Sequence, residues 1–266
     1  TRDHNLFTLD EYGGGTRIAS EGAEGTLVMV PDRLPEPSAP QTEIDLVELF
    51  GPDEGDITVF AADGLGEVDW SDVSNGVRRH YEGQSSAPMS ATRPSSLPSA
   101  AEMAFKESDV RLPRTLPVTT DLAWALGFYV AEGYRRRKQI VVSNTDREYL
   151  ERFASVFEPS GAGCSWYERD NGVTTLTVCS ALWSKVFGEL AGEGSEKTVP
   201  AQAWDWSNEV LTALYEGLID GDGHRREGRD TLYTANGDLV GRAMFLGARH
   251  GLLNSVYHRE LDQYIA

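Results

Sequence analysis

The sequence predicts an α+β protein made of two internally repeated units, the second shorter than the first, with a smaller and mainly β region in front. Three observations predict it. LGFYVAEGYRRRK, starting at Leu126, returns 90 residues later as EGLIDGDGHRR, starting at Glu216, with Gly127 and Gly133 matched by Gly217 and Gly223. Each copy continues with a polar strand, Gln139 to Asn144 or Asp230 to Asn236, and then an amphipathic helix, Asp146 to Phe157 or Asp238 to His250. The composition also changes near residue 112, from Asp, Gly, Ser and Pro to longer helical patterns.

In chain order, residues 1–48 mix short β-branched runs with Gly and Pro, as in Gly25 to Pro31, which predicts small β structure. Residues 51–112 read as linker-like, most clearly at Ser95-Ser96-Leu97-Pro98-Ser99. The domains are accordingly 1–112 and 113–266, with repeat one about 119–195 and repeat two about 205–266. Thr119-Thr120-Asp121 caps the first long helix. Asn171-Gly172 suits a two-residue hairpin turn, which places Cys164 opposite Cys179 as reduced strand residues. A helix over Leu182 to Leu190 closes the first unit, giving helix, strand, helix, hairpin, helix. The second unit has one strand-like run, Ser255 to Tyr264, before Ala266, so a partner strand and a closing helix are expected to be missing.

The bulk numbers exclude some classes. No apolar run approaches the roughly 20 residues of a membrane-crossing helix, and no signal peptide is visible, so a soluble, cytoplasmic protein is expected. The formal charge of −18 looks wrong for a nucleic-acid binder. Its distribution answers part of the objection. Residues 1–110 hold 7 Lys or Arg against 21 Asp or Glu, while residues 111–266 hold 17 against 21. Four Lys against 20 Arg, on so acidic a chain, predicts a salt-loving host.

The chemistry is predicted at the repeated helices. Small residues four apart, Gly127 with Ala131 and Gly217 with Gly221, let two helix backbones approach closely. Each pair is followed by an acid, Glu132 or Asp222, and then by Gly133 or Gly223, suited to a left-handed cap. A carboxylate in a last helical turn meets the negative end of the macrodipole, and two facing carboxylates repel; a cation reverses both penalties. Oxygen ligands without thiolate favour Mg²⁺, with Mn²⁺ as a substitute. Arg135-Arg136-Arg137-Lys138 and His224-Arg225-Arg226 follow the acids and predict phosphate contacts beside the chemistry.

LGFYVAEGY and LYEGLIDGDG resemble the two signatures of the LAGLIDADG, or dodecapeptide, homing endonucleases. The resemblance implies two αββαββα halves about a pseudo-two-fold axis, in a monomer whose sheets form a saddle on double-stranded DNA. It makes Glu132 and Asp222 the metal-binding acids and leaves Asp220 structural. Lys197-Thr198-Val199-Pro200 looks like the family's lysine block, so Lys197 is implied to orient the attacking water or stabilise charge on the phosphate. No lysine follows Asp222 to match it in the second unit. Thr1 and His4, in Thr-Arg-Asp-His, resemble an intein splicing block, with VPDRLP similar to a downstream splicing strand. The similarity is closest to archaeal inteins of family B DNA polymerases. The implied function is cleavage of the intein-free host allele by metal-dependent phosphodiester hydrolysis. The rivals are a degenerate DNA-binding module and an intein whose endonuclease has decayed, leaving protein splicing. Thr1 has no Cys or Ser before it and no His-Asn closes the chain, so self-splicing by this piece alone is expected to fail.

Overall fold

The computed structural model describes residues 5–10, 13–18, 27–28, 33–51, 54–106, 108–136, 138–252, 256–259 and 263–265, so Thr1, His4 and Arg137 lie outside the described residues. Strands β1 (Asn5–Asp10), β2 (Gly13–Ile18) and β3 (Leu27–Val28) form an antiparallel sheet in the order β2-β1-β3. They are followed by β4 (Glu43–Asp45), α1 (Leu46–Phe50), β5 (Ile57–Phe60), α2 (Asn75–Tyr81), β6 (Ser86–Pro88), β7 (Glu102–Phe105), β8 (Arg111–Pro113) and β9 (Thr115–Pro117).

The linker reading of 51–112 is corrected here. Strands β6-β5-β7-β8 make a four-stranded antiparallel sheet with Ile57, Val59, Met103 and Leu112 buried. The Ser-rich patch is a 3₁₀ turn, Pro94–Ser96, followed by the buried Leu97. The Leu97 carbonyl accepts from Arg114, whose guanidinium also donates twice to Asp45 Oδ2 at 2.8 and 3.0 Å. The division near 112 falls inside packed structure, because β4 pairs with β9 across it and one apolar core runs from Ile44 to Leu246. Strands of three or four residues are too short to show a period, whereas one buried Leu and one Arg suffice to pin a polar turn.

Beyond Thr119 the repeat is literal. The first half is α3 (Thr120–Glu132), β10 (Gly133–Arg136), β11 (Gln139–Asn144), α4 (Arg147–Ser155), β12 (Gly163–Glu168), β13 (Thr174–Cys179) and α5 (Ala181–Ala191). The second is α6 (Asn208–Asp222), β14 (Gly223–Arg226), β15 (Arg229–Thr234), α7 (Gly237–Arg249), β16 (Tyr257–Arg259) and β17 (Gln263–Ile265). The ends of α3 and α6, and the whole of the next two strands, are displaced by the same 90 residues. Sheets β10-β11-β13-β12 and β14-β15-β17-β16 have the same order. Each long helix starts at a side-chain cap: Thr119, Asp146, Ser180, Ser207 and Asn236 all accept from a backbone N–H of the first turn.

Two expectations about strands change. The run from Ser255 onward is two strands, β16 and β17, so the partner strand is present; among the described residues no helix follows β17 to match α5. The β12–β13 hairpin closes through three residues, Asp170 to Gly172, with Gly172 at φ +81 and bonds from Arg169 N to Val173 O and from Gly172 N to Arg169 O. That slips the register by one: Cys164 faces Val178 and Cys179 faces Gly163. The thiols therefore lie on opposite faces of the sheet, and both are free.

Helices α3 and α6 cross at their glycines. A Cβ on Gly127 would collide with the Leu214 carbonyl and stand 2.9 Å from Leu218 N; one on Gly217 would collide with the Trp124 carbonyl and stand 2.8 Å from Phe128 N. The contact is its own mirror under the 90-residue shift. Residues 122–130 of α3 are buried on every side, which is why no one-sided apolar stripe marks this helix. Gly241, exposed in α7 with nothing within 4 Å of its added Cβ, is the opposite case. Gly241→Ala is expected to stabilise by about 0.5–1 kcal/mol through lower unfolded-chain entropy, seen as a rise in Tm of about 1–4 °C.

Candidate active site

Each repeated helix stops at its acid. Gly133 and Gly223 are extended, at φ −88 and −100, rather than left-handed, and open β10 and β14. Glycine is needed for space: a Cβ would run into Tyr129 at the first position and Ile219 at the second. The crossing thus delivers two carboxylates, Glu132 and Asp222, to the same end of the helix pair. Burial raises the pKa of Glu132, and the neighbouring Asp222 carboxylate raises it further; Lys197 opposes both effects. Burial also raises Asp222, again opposed by Lys197, although its side chain still reaches solvent.

Lys197 joins them from the segment between the halves. Its ammonium donates to the carbonyls of Tyr129 (3.3 Å), Ala131 (3.4 Å) and Gly133 (2.6 Å) and stands 5.6 Å from the Tyr129 ring centroid. It closes the carbonyl end of α3 directly behind Glu132. Burial lowers its pKa, and the two carboxylates pull it back up. Asn236 holds the segment in place through the carbonyls of Lys197 (2.8 Å) and Ser195 (3.1 Å). A cavity of about 250 Å³ opens beside Lys197 and Asp222. Asp220, two residues before Asp222 on α6, accepts from Trp124 Nε1 at 2.9 Å and pairs with Arg225 at 3.3 Å.

Carboxylates whose pKa is raised by folding favour the folded state below their unfolded pKa, and that contribution is lost as pH rises through the folded value. At neutral pH without metal, both acids are a cost. Glu132→Gln and Asp222→Asn should each raise stability by about 0.3–1 kcal/mol, the range of a helix-end charge. Thermal melts in chelator should show the gain near pH 7 and its disappearance in acid.

The two sheets sort the predicted basic residues by parity. Arg135 lies opposite the buried Ile140 on the core side of the first sheet, where it pairs with Glu193 at 3.1 Å and donates to Ser184 at 3.2 Å. Arg225 likewise lies on the core side of the second sheet, with Asp220. Arg136, His224 and Arg226 alternate onto the solvent side, and Lys138 occupies the β10–β11 turn. Arg226 stands directly opposite Arg229, a residue the basic-run reading missed. Tyr134, Tyr167 and Tyr233 were missed as well; all three are exposed, Tyr167 by 67%, on the same solvent faces. Counting by twos from the buried strand residues would have found them.

No protein-family model matches the sequence. Among curated proteins, the chain is 29% identical over 143 residues to a subunit of the A-type ATP synthase of Methanopyrus kandleri, covering 53% of this chain and 14% of that protein. It is 21% identical over 169 residues to the Rpo1C subunit of the DNA-directed RNA polymerase of Methanocaldococcus jannaschii, covering 62% of this chain and 20% of that protein. The chain thus spans a fifth or less of these curated relatives. Among solved structures it is similar to the homing endonuclease I-DmoI in complex with DNA and Mn, at TM-score 0.46 and 12% identity over 56% of this chain and 88% of that one. It is also similar to the N-terminal LAGLIDADG domain of WhiA, at TM-score 0.40 and 12% identity over 55% of this chain and 75% of that one.

Proposed function

We propose that this chain is an intein-borne endonuclease of the LAGLIDADG type, cutting double-stranded DNA at the intein-free host site by hydrolysis dependent on Mg²⁺ or Mn²⁺. The carrying observation is the pair of acids at the end of the α3–α6 crossing, with four-stranded sheets following on either side whose solvent faces bear Arg136, His224, Arg226 and Arg229. Arg226 and Arg229 face one another across strands, a like-charge pair that a polyanion would relieve.

The donor set fits a hard divalent ion. Both donors are carboxylates whose charged form is penalised, and each sits at the negative end of a helix. Glu132 and Asp222 would hold such an ion, and Mg²⁺ would ordinarily take its further ligands from water and phosphate. Such an ion supplies Lewis acidity toward phosphate oxygens and lowers the pKa of the attacking water. Lys197, with its donors spent on three carbonyls, positions Glu132 rather than touching the water. The arginines and His224 take phosphates, and the tyrosines, with Gln139, Ser143 and Thr175 on the first sheet, offer base-edge contacts. One chain supplies both acids, so a monomer suffices.

The intein assignment draws on a different fact. The two curated relatives are unlike each other in function, yet each shares with this chain a stretch that is a small part of its length. A mobile segment carried inside unrelated host proteins fits that pattern. Neither relative is a DNA polymerase, and Thr1 and His4 enter from the sequence alone. Among the described residues no helix is long and apolar enough to cross a membrane.

The test is incubation with a plasmid carrying the uninterrupted host site, in Mg²⁺ and in chelator. A single double-strand break that requires the metal is expected. A bound but uncut site would replace the nuclease with a DNA-binding module; neither binding nor cutting, with splicing of the full-length precursor intact, would leave only the splicing role.

A further inference from the structure

The accessory sheet β6-β5-β7-β8 packs against α5 of the first half, and Lys185 of α5 meets Glu54 beside β5 at 2.7 Å. Among the described residues before α3, Arg78, Arg93, Arg111 and Arg114 each meet a carboxylate. Lys106 does not. It is exposed on the β7–β8 loop, and no ion pair among the described residues involves it. The loop is held in place by Lys106 N donating to Asp56 O (2.8 Å), Ser108 N to Phe105 O (3.0 Å) and Val110 N to Ser108 Oγ (3.2 Å). Across from it lies the β10–β11 turn, whose Lys138 ammonium stands 4.8 Å from the Phe105 ring centroid. Arg136 and Lys138 likewise enter no ion pair among the described residues. Lys106, Arg136 and Lys138 line an open cleft of about 1170 Å³ with Gln139 and Ser108, and Asp109 is the one carboxylate among its described lining residues.

On a chain with 42 acids against 24 Lys and Arg, three neighbouring cations without such a partner among the described residues mark a surface kept for an external anion. Arg136 and Gln139 belong both to this cleft and to the solvent face of the first sheet, so the two surfaces are continuous. The accessory sheet lies outside the 90-residue repeat, so among the described residues the second half has no equivalent of the β7–β8 loop.

We propose that the cleft holds the phosphate backbone of the duplex beyond the stretch covered by the two repeat sheets, extending the DNA footprint on the first half's side only. This rests on the DNA-cutting reading above and adds an asymmetry that the repeat itself does not contain.

The experiment uses the full chain and a duplex recovered by selection from a random pool, then trimmed by about one helical turn from either end. Trimming one end should weaken binding, and trimming the other should not. Lys106→Glu should weaken the untrimmed duplex on the order of 5-fold and reduce the salt slope by about one. The same variant should bind the duplex trimmed at the sensitive end as the parent does. Asp109→Asn should tighten the untrimmed duplex and leave that trimmed one unchanged. Equal binding of the untrimmed duplex by Lys106→Glu and parent, or equal sensitivity to trimming at both ends, overturns the proposal while the nuclease reading stands. Failure to select any duplex overturns both.

Discussion

Glu132→Ala or Asp222→Ala should lower double-strand cleavage about 1000-fold or more while duplex binding stays within a few fold. The two acids are the carboxylates brought together where α3 and α6 end, and the charge that each loses its solvation to hold is the charge a divalent ion needs. An ion's contribution to phosphate chemistry is several kcal/mol, and each 1.36 kcal/mol is tenfold in rate. The pH dependence has a definite sign. Both carboxylate pKa values are raised, first by burial, so protons compete with the ion further toward neutrality than at an exposed acid. Cleavage should fall as pH drops through those values and be partly restored by more metal. Asp220→Ala is the contrasting variant. It removes the partner of Trp124 Nε1 and Arg225, so about 1–3 kcal/mol of stability should go while the folded fraction still cuts. Cleavage by Glu132→Ala at the parent rate in Mg²⁺ would end the metal-site assignment.

The contrast between those acids shows which parts of the molecule could be read from the sequence. Glu132, Asp222 and the glycines before them form a pattern that repeats at a fixed distance, and helix caps such as Thr119 and Asp146 announce themselves by residue type. The fold of 119–252 followed from these local signals. What failed depended on distant partners. Strands β5 to β8 hold three or four residues each, and their burial depends on one another and on α5, which packs on β7, rather than on any alternation of their own. The one-residue slip that separates Cys164 from Cys179 came from counting two turn residues where the chain uses three. Arg135 and Arg225 look equivalent to Arg136 and Arg226 in a basic run, yet their side chains point to opposite faces. Only the pleat, anchored on Ile140 and Leu232, distinguishes them. The sequence offers Lys197 as a candidate site residue; that its donors end on the carbonyls of 129, 131 and 133 is not written in its residue type or spacing.

Gly127→Ala and Gly217→Ala should each cost about 3 kcal/mol, the upper end of ordinary overpacking, and lower Tm by roughly 6–12 °C. The size of the effect follows from what the new methyl group meets. At both positions the obstacles are backbone atoms of the facing helix, the Leu214 carbonyl and Leu218 N in one case and the Trp124 carbonyl and Phe128 N in the other. No rotamer change can move them, so the helices must separate or tilt. Separation would also displace Trp124, Phe128, Leu214 and Leu218, all buried at the crossing, and would loosen the bond from Trp124 Nε1 to Asp220. Glu132 and Asp222 would part with their helices, so the variants should lose cleavage out of proportion to the fraction unfolded. Gly221→Ala should be destabilising as well, because its added Cβ collides with the Ala131 Cβ, which is fixed to its backbone and has no rotamer to move to. Changes at 127 and 217 lie at one contact, so the double variant should cost less than the sum of the singles, the first substitution having already opened the crossing for the second. Strict additivity in melts of the four-variant cycle would show that the two glycines are not packed against each other's helices.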